Sequence, residues 1–127
     1  MGVATPEPTR TVLFVCAHGA YRSRLAAAFF NAAAPIGWRA ASAGLDPQHE
    51  MSAAAIELAT STAAEAHLER GRPSALADAG PVDRIVAIDC DVAGADRWDL
   101  AVGDVGPPQR DELRARAEQL AAELRRG

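Results

Sequence analysis

Lysine is absent from this sequence, and all 13 of its non-histidine cations are arginine. That absence excludes a lysine Schiff base or a Walker-type lysine as the centre of any chemistry. The arginine and alanine excess reads as a GC-rich coding bias. Cysteine is scarce too: Cys16 and Cys90 are too few for a disulfide scaffold, and their apolar surroundings suit buried core residues. No apolar run approaches the roughly 18 residues of a membrane span. Positive charge does not dominate either, since a net charge of −4 and a pI near 5.3 argue against a general nucleic-acid-binding surface. His49, His67 and Cys90 lack metal-ligand spacing, so no metal and no cofactor are expected. Gly2 to Arg10 has neither the cationic region nor the apolar core of a secretory signal, which leads to the expectation of a soluble cytoplasmic protein.

What is present is enough for one core. The 127 residues suit a single domain, and 49% of them are apolar. The prolines and small polar residues of 1–10 suggest a flexible leader, and 11–127 the domain itself. The core accounts for the apolar residues, so a monomer is expected. Thr11 to Val15 (TVLFV) reads as a strand buried on both faces. From Ser23 a helical pattern begins, with Leu25, Ala28, Phe29 and Ala32 on one face and Pro35 and Gly37 closing it. Trp38 to Ser42 reads as a second strand ending at Gly44. Met51 to Leu68 reads as a helix, and Ser74 as the cap of a short helix through Ala79. Asp83 to Asp89 is another buried strand, and Trp98 to Val102 a shorter one. Pro108 to Arg126 is an amphipathic helix with Leu113, Ala117, Leu120, Ala121 and Leu124 inward. Alternating strands and helices predict an α/β fold, an open parallel sheet with helices on both faces.

The chemistry concentrates in C-A-H-G-A-Y-R-S, that is Cys16, Ala17, His18, Gly19, Ala20, Tyr21, Arg22 and Ser23. This segment lies at the carboxyl end of the first strand and the amino end of the first helix, where ligands bind in open α/β sheets. Inward N–H groups and the helix dipole suit an anion. Arg22 offers a planar fork for two oxygens of a tetrahedral oxyanion. Gly19 supplies positive φ where the loop must turn. A helix terminus, an arginine and a hydroxyl donor such as Ser23 together stabilise a thiolate at Cys16, ready for in-line attack. Cys-x5-Arg alone arises easily in an arginine-rich chain; the serine, the preceding strand and the following helix narrow it.

With those residues in view, the chain resembles the low-molecular-weight protein tyrosine phosphatase superfamily, which includes a branch of arsenate reductases. The matching stretches are V-L-F-V-C-A-H-G-A-Y-R-S-R-L-A-A-A-F-F, G-W-R-A-A-S-A-G-L (Gly37 to Leu45) and R-I-V-A-I-D (Arg84 to Asp89). The resemblance implies a three-layer, four-stranded parallel sheet, with Cys16 as nucleophile, Arg22 as oxyanion clamp and Ser23 as thiolate stabiliser. Three departures stand out. Gly19 replaces the family's loop-bracing asparagine, leaving the loop laxer or braced by another group such as His18. Tyr21 stands where some members carry a second cysteine, so no disulfide can form within the loop. No Asp-Pro pair follows the late tryptophan in W-D-L-A-V-G-D-V-G-P-P; Asp104 is the first candidate proton donor and Asp99 the second, while Asp46-Pro47 falls after the second strand.

The leading expectation is therefore hydrolysis of a phosphorylated small molecule or phosphoprotein, with His18 and Tyr21 walling an aryl group. The alternative is arsenate reduction on the same loop, completed by a low-molecular-weight thiol. Cys90 resembles a resolving thiol of the thioredoxin-linked reductases, but their further cysteine is missing. A third reading is an oxyanion- or phosphoprotein-binding module with weak catalysis.

Overall fold

The computed structural model describes residues 9–126. The expected leader thus falls almost wholly outside the described residues, and Arg10 already belongs to the first strand. The elements are β1 (Arg10–Cys16), α1 (Arg22–Ala33), β2 (Trp38–Gly44), α2 (Ala53–Ala59), β3 (Arg84–Ile88), β4 (Asp96–Trp98) and α3 (Pro107–Arg126), with single 3-10 turns at Glu65–His67 and Leu76–Asp78. The strands form one parallel sheet in the order β2-β1-β3-β4. The α/β class and the four-stranded parallel sheet are as expected. β1 sits centrally because it can be buried on both faces. Val12, Phe14 and Cys16 face one cluster, Leu13 and Val15 the other.

The first face is covered by α1, α2 and α3. Phe14 is the keystone, its ring 6.0 Å from Phe30 and 5.4 Å from Trp98. The second face carries a thinner layer, the 3-10 turn at Leu76–Asp78 together with loop residues such as Val82, Val92 and Ala95. The third layer is therefore turn and loop more than helix. α1 is buried nearly all round, from Ser23 to Phe30, because β1, β2, α2, α3 and the turn at Glu65–His67 all pack on it. The expected stripe is too narrow: Ala26, Ala27 and Phe30 are buried as well, and Ala32 is exposed. Alanine's small volume lets several elements approach one helix closely.

Three expected elements need correction. α2 is far shorter than Met51 to Leu68, because hydroxyls compete for its carbonyls: Thr60 Oγ1 donates to Ile56 O (2.8 Å) and Thr62 Oγ1 to Ala59 O (2.6 Å). Ser61 between them turns to φ 64°. Ser74 caps nothing; the turn starts after Ala75, and the Ser74 carbonyl accepts the Gly44 N–H instead (2.9 Å). β4 is Asp96–Trp98 and not Trp98 to Val102, because beyond Trp98 side chains take over the backbone. Leu100 N–H donates to Asp89 Oδ1 (2.9 Å), and Ala101 and Val102 N–H both donate to the Glu112 carboxylate (2.9 Å each).

The order β2-β1-β3-β4 places a topological switch point between β1 and β3. Crossovers leave these two strands in opposite directions, opening a crevice at their carboxyl ends. Cys16 ends β1 there, and Asp89 follows β3 there.

Candidate active site

From Cys16 to Tyr21 every backbone carbonyl is tied away from the loop's centre. Cys16 O accepts from Leu45 N–H (3.1 Å), Ala17 O from Asp46 (2.8 Å), His18 O from Gln48 (3.3 Å), Ala20 O from Ser52 (3.2 Å) and Tyr21 O from Leu25 (3.0 Å). Gly19 O accepts from the Arg24 side chain, Nε at 3.1 Å. With the carbonyls held outward, the N–H groups are left to converge. Among the described residues none from Ala17 to Ser23 donates to a protein acceptor. A ring of unpaired N–H groups at a helix amino terminus is an anion cradle.

Two glycines make this curvature possible. Gly19 has φ 66°, and a Cβ on it would lie 2.7 Å from Gly44 N. A Cβ on Gly44 would lie 2.6 Å from Gly19 N. The loop therefore rests backbone to backbone on the end of β2. An asparagine brace at this position has no room; the bracing falls to Arg24, which is 4% exposed and also donates to Glu69 O (2.6 Å). His18 is not the brace. It is exposed at the rim, its Nδ1 3.1 Å from Asp46 O.

Cys16 lies at the floor, 4% exposed, with Sγ 3.2 Å from Ser23 Oγ. Ser23 is fully buried; its rotatable hydroxyl accepts from a thiol or donates to a thiolate. Arg22 is about one-third exposed and its Nε is buried without a hydrogen-bond partner. Behind it stands Asp89, Oδ2 at 3.6 Å. Asp89 takes φ 52°, donates its N–H to Trp98 O (2.9 Å) and holds Leu100 N–H on its other oxygen. Arg22 thus turns its Nε toward a carboxylate, while its terminal nitrogens meet no protein acceptor among the described residues.

The cavity above Cys16 is ≈ 190 Å³ and is lined by the loop together with Gln48, Ser52 and Val105. Tyr21 and His18 both line it. Burial holds the Tyr21 hydroxyl above the ordinary tyrosine range, against smaller opposing effects of the Gly106 backbone, Arg22 and Arg110. Neither candidate carboxylate lines this cavity, and both are exposed. Asp99 is paired with Arg97 at 2.7 Å. Asp104 is exposed and immediately precedes Val105 at the cavity mouth. The base of that loop is fixed by α3, through Glu112 and through Gln109 Nε2 donating to Val102 O (2.8 Å). Cys90 does not line this cavity. It is buried in the second-face cluster, Sγ 3.5 Å from Val15 O, and burial, then the nearby Cys16, pushes its thiol up.

Asp89, Arg24 and Glu112 escaped the sequence reading because their roles depend on long-range contacts. Only Asp89 carried a local signal, a carboxylate at the carboxyl end of a buried strand.

Comparison with known proteins places this geometry. The profile of the family described as low molecular weight phosphotyrosine protein phosphatase matches residues 11–98. No curated protein sequence matches. Among solved structures, an arsenate reductase from Archaeoglobus fulgidus is 30% identical, with a TM-score of 0.70 over 87% of this chain and 98% of that one. A low molecular weight protein tyrosine phosphatase from T. tengcongensis is 21% identical, with a TM-score of 0.67 over 91% and 99%. The YwlE arginine phosphatase from Geobacillus stearothermophilus is 21% identical, with a TM-score of 0.66 over 92% and 94%; these last two likenesses show the fold. Among the described residues no helix is long and apolar enough to cross a membrane.

Proposed function

The chain belongs to the low molecular weight phosphotyrosine protein phosphatase family, and from that premise we propose that it hydrolyses phosphate monoesters through Cys16. The observation that carries this reading is the cradle of unpaired N–H groups from Ala17 to Ser23, closed over a thiol 3.2 Å from Ser23 Oγ. The phosphate of the ester takes the place of the missing acceptors, and Arg22 binds two of its outer oxygens. Cys16 thiolate attacks phosphorus in line as the phosphorus–oxygen bond to the leaving group breaks. The leaving oxygen takes its proton from Asp104, and the product is a phosphocysteine. Water then attacks phosphorus, gives a proton back to Asp104, and releases phosphate and the thiolate. Val105 and Tyr21 shape an apolar mouth suited to an aryl leaving group.

Hydrolysis of an aryl phosphate by the wild type, Cys16→Ser, Asp104→Asn and Asp99→Asn proteins tests this. Cys16→Ser abolishes turnover. Asp104→Asn lowers kcat by ~100-fold to 10,000-fold, the usual contribution of a general acid, and Asp99→Asn leaves it within about twofold. Turnover that survives Cys16→Ser would overturn the reading.

A second reading draws on the arsenate reductase from Archaeoglobus fulgidus, 30% identical over nearly its whole length, and on the missing Asp-Pro pair. In it Cys16 attacks arsenate as an arsenic–oxygen bond breaks and that oxygen leaves as water. An external thiol then attacks the Cys16 sulfur as the sulfur–arsenic bond breaks. Arsenite leaves carrying two electrons, and a mixed disulfide remains for a further thiol to reduce. Cys90 stays outside this cycle because it is buried on the other face. Arsenate turnover that requires added thiol, with negligible phosphate release from aryl phosphate, selects it.

A further inference from the structure

Beyond the Cys16 cradle, we propose that the open edge of β2 carries a second oxyanion site, a pocket for a phosphate-type group formed by the Ser42 backbone N–H with Arg24, Arg39 and Arg72. β2 is an edge strand, so alternate residues turn their backbone groups away from β1. Two of these are covered by protein. Ala40 N–H donates to Asn31 Oδ1 (2.8 Å) while Asn31 Nδ2 donates to Ala40 O (3.1 Å), and Gly44 N–H donates to Ser74 O (2.9 Å). Ser42 lies between them and faces the same way, yet among the described residues its N–H meets no acceptor on that edge.

A cavity of ≈ 170 Å³ opens at this gap, lined by Arg24, Arg39, Ser42, Glu69, Arg72 and Ser74 among others. Three arginines and one glutamate are among its lining residues, on a chain whose net charge is −4. Arg24 is 96% buried by its 4% exposure, with Nε on Gly19 O and one terminal nitrogen on Glu69 O. Its other terminal nitrogen meets no acceptor among the described residues. Burial lowers its affinity for the proton, partly offset by Glu69 and Cys16, so an anion in the pocket would favour the charged form. Arg39 and Arg72 are exposed. Arg72 rests with one terminal nitrogen 3.3 Å from His49 Nδ1, a surface contact it exchanges for the anion. Both guanidinium groups then close over the anion as planar forks, with the Ser42 N–H a fixed donor between them. Its lining shares no residue with the cavity over Cys16. The two sites nonetheless meet at one side chain, because Arg24 also holds the Gly19 carbonyl of the loop.

Nitrogen-15 NMR titration with inorganic phosphate at low ionic strength tests the proposal. Two groups of amides shift with separate midpoints, Ala17 to Ser23 in one and Ser42 with Ser74 in the other. In the Arg39→Ala/Arg72→Ala protein the second midpoint rises by about tenfold or more, as loss of two charge-assisted contacts implies, while the first stays put. In Arg22→Ala the first midpoint rises and the second stays. Ser42 and Ser74 amides that ignore phosphate, or that respond equally in the double variant, would overturn the second site. Silence of the loop amides alone would overturn the proposed function and leave this site standing.

Discussion

Substituting Gly19 by alanine tests the backbone contact that gives the loop its shape. At φ 66° an alanine costs about 1–2 kcal/mol from its Cβ alone. That Cβ would also sit 2.7 Å from Gly44 N and 2.9 Å from Ala43 C, backbone atoms that cannot swing aside. Relieving such an overlap by shifting the loop costs about 1–3 kcal/mol more. The sum, about 2–5 kcal/mol, lowers Tm on the order of 10 °C for a chain of this size. Phosphate adds a second readout. In an Arg39→Ala/Arg72→Ala background, which leaves the cradle as the phosphate site, phosphate at about a hundred times its Kd stabilises the parent by about 2.7 kcal/mol, and a displaced loop forfeits that gain. Gly37→Ala is the control. Gly37 has φ 90°, but a Cβ there would meet nothing within 4 Å, so it bears the conformational cost without the overlap. Thermal denaturation of the three proteins with and without phosphate separates the effects. If Gly19→Ala loses no more than Gly37→Ala and keeps its phosphate response, contact with Gly44 does not shape the cradle.

Two further outcomes follow from the side chains around the loop. Asp89→Asn, which leaves Arg22 without its partner, raises KM for an aryl phosphate and lowers kcat/KM by about three- to tenfold. The same change costs under about 1 kcal/mol of stability, because the pair is partly exposed; equal losses in kcat and stability would contradict an aiming role. Burial alone would raise the Glu112 carboxyl, but the N–H groups of Ala101 and Val102 and the Arg116 guanidinium outweigh it and hold it below the ordinary glutamate range. A depressed folded value means that its stabilisation is complete above the unfolded value, about 4.3, and is lost as pH falls through the folded one. Glu112→Gln therefore flattens the acid limb of a stability-against-pH curve below about pH 4.3, and an unchanged limb would show that Glu112 does not hold the loop.

The parts of this structure legible in the sequence are those in which neighbours along the chain decide the outcome. TVLFV is apolar at consecutive positions and became the central strand; CAHGAYRS joins strand to helix and became the cradle, with Gly19 at positive φ as its position required. Distance in sequence defeated the rest. Asp89 reaches Arg22 across the switch point, and Arg24 replaces the absent asparagine only because α1 passes beneath the loop and beside Glu69. The tryptophan-containing strand was misplaced because Asp89 and Glu112, from other elements, capture the backbone after Trp98. Thr60 and Thr62 cut short an alanine-rich helix that composition favours, since two hydroxyls take carbonyls at its end.

The central claim is that Cys16 carries the phosphoryl group, and acid-quenched single-turnover reactions analysed by peptide mass spectrometry address it directly. The account predicts one phosphoryl group on the peptide containing Cys16, appearing with the released alcohol and decaying as phosphate forms. Release of phosphate without that adduct, or an adduct on any other residue, would contradict it.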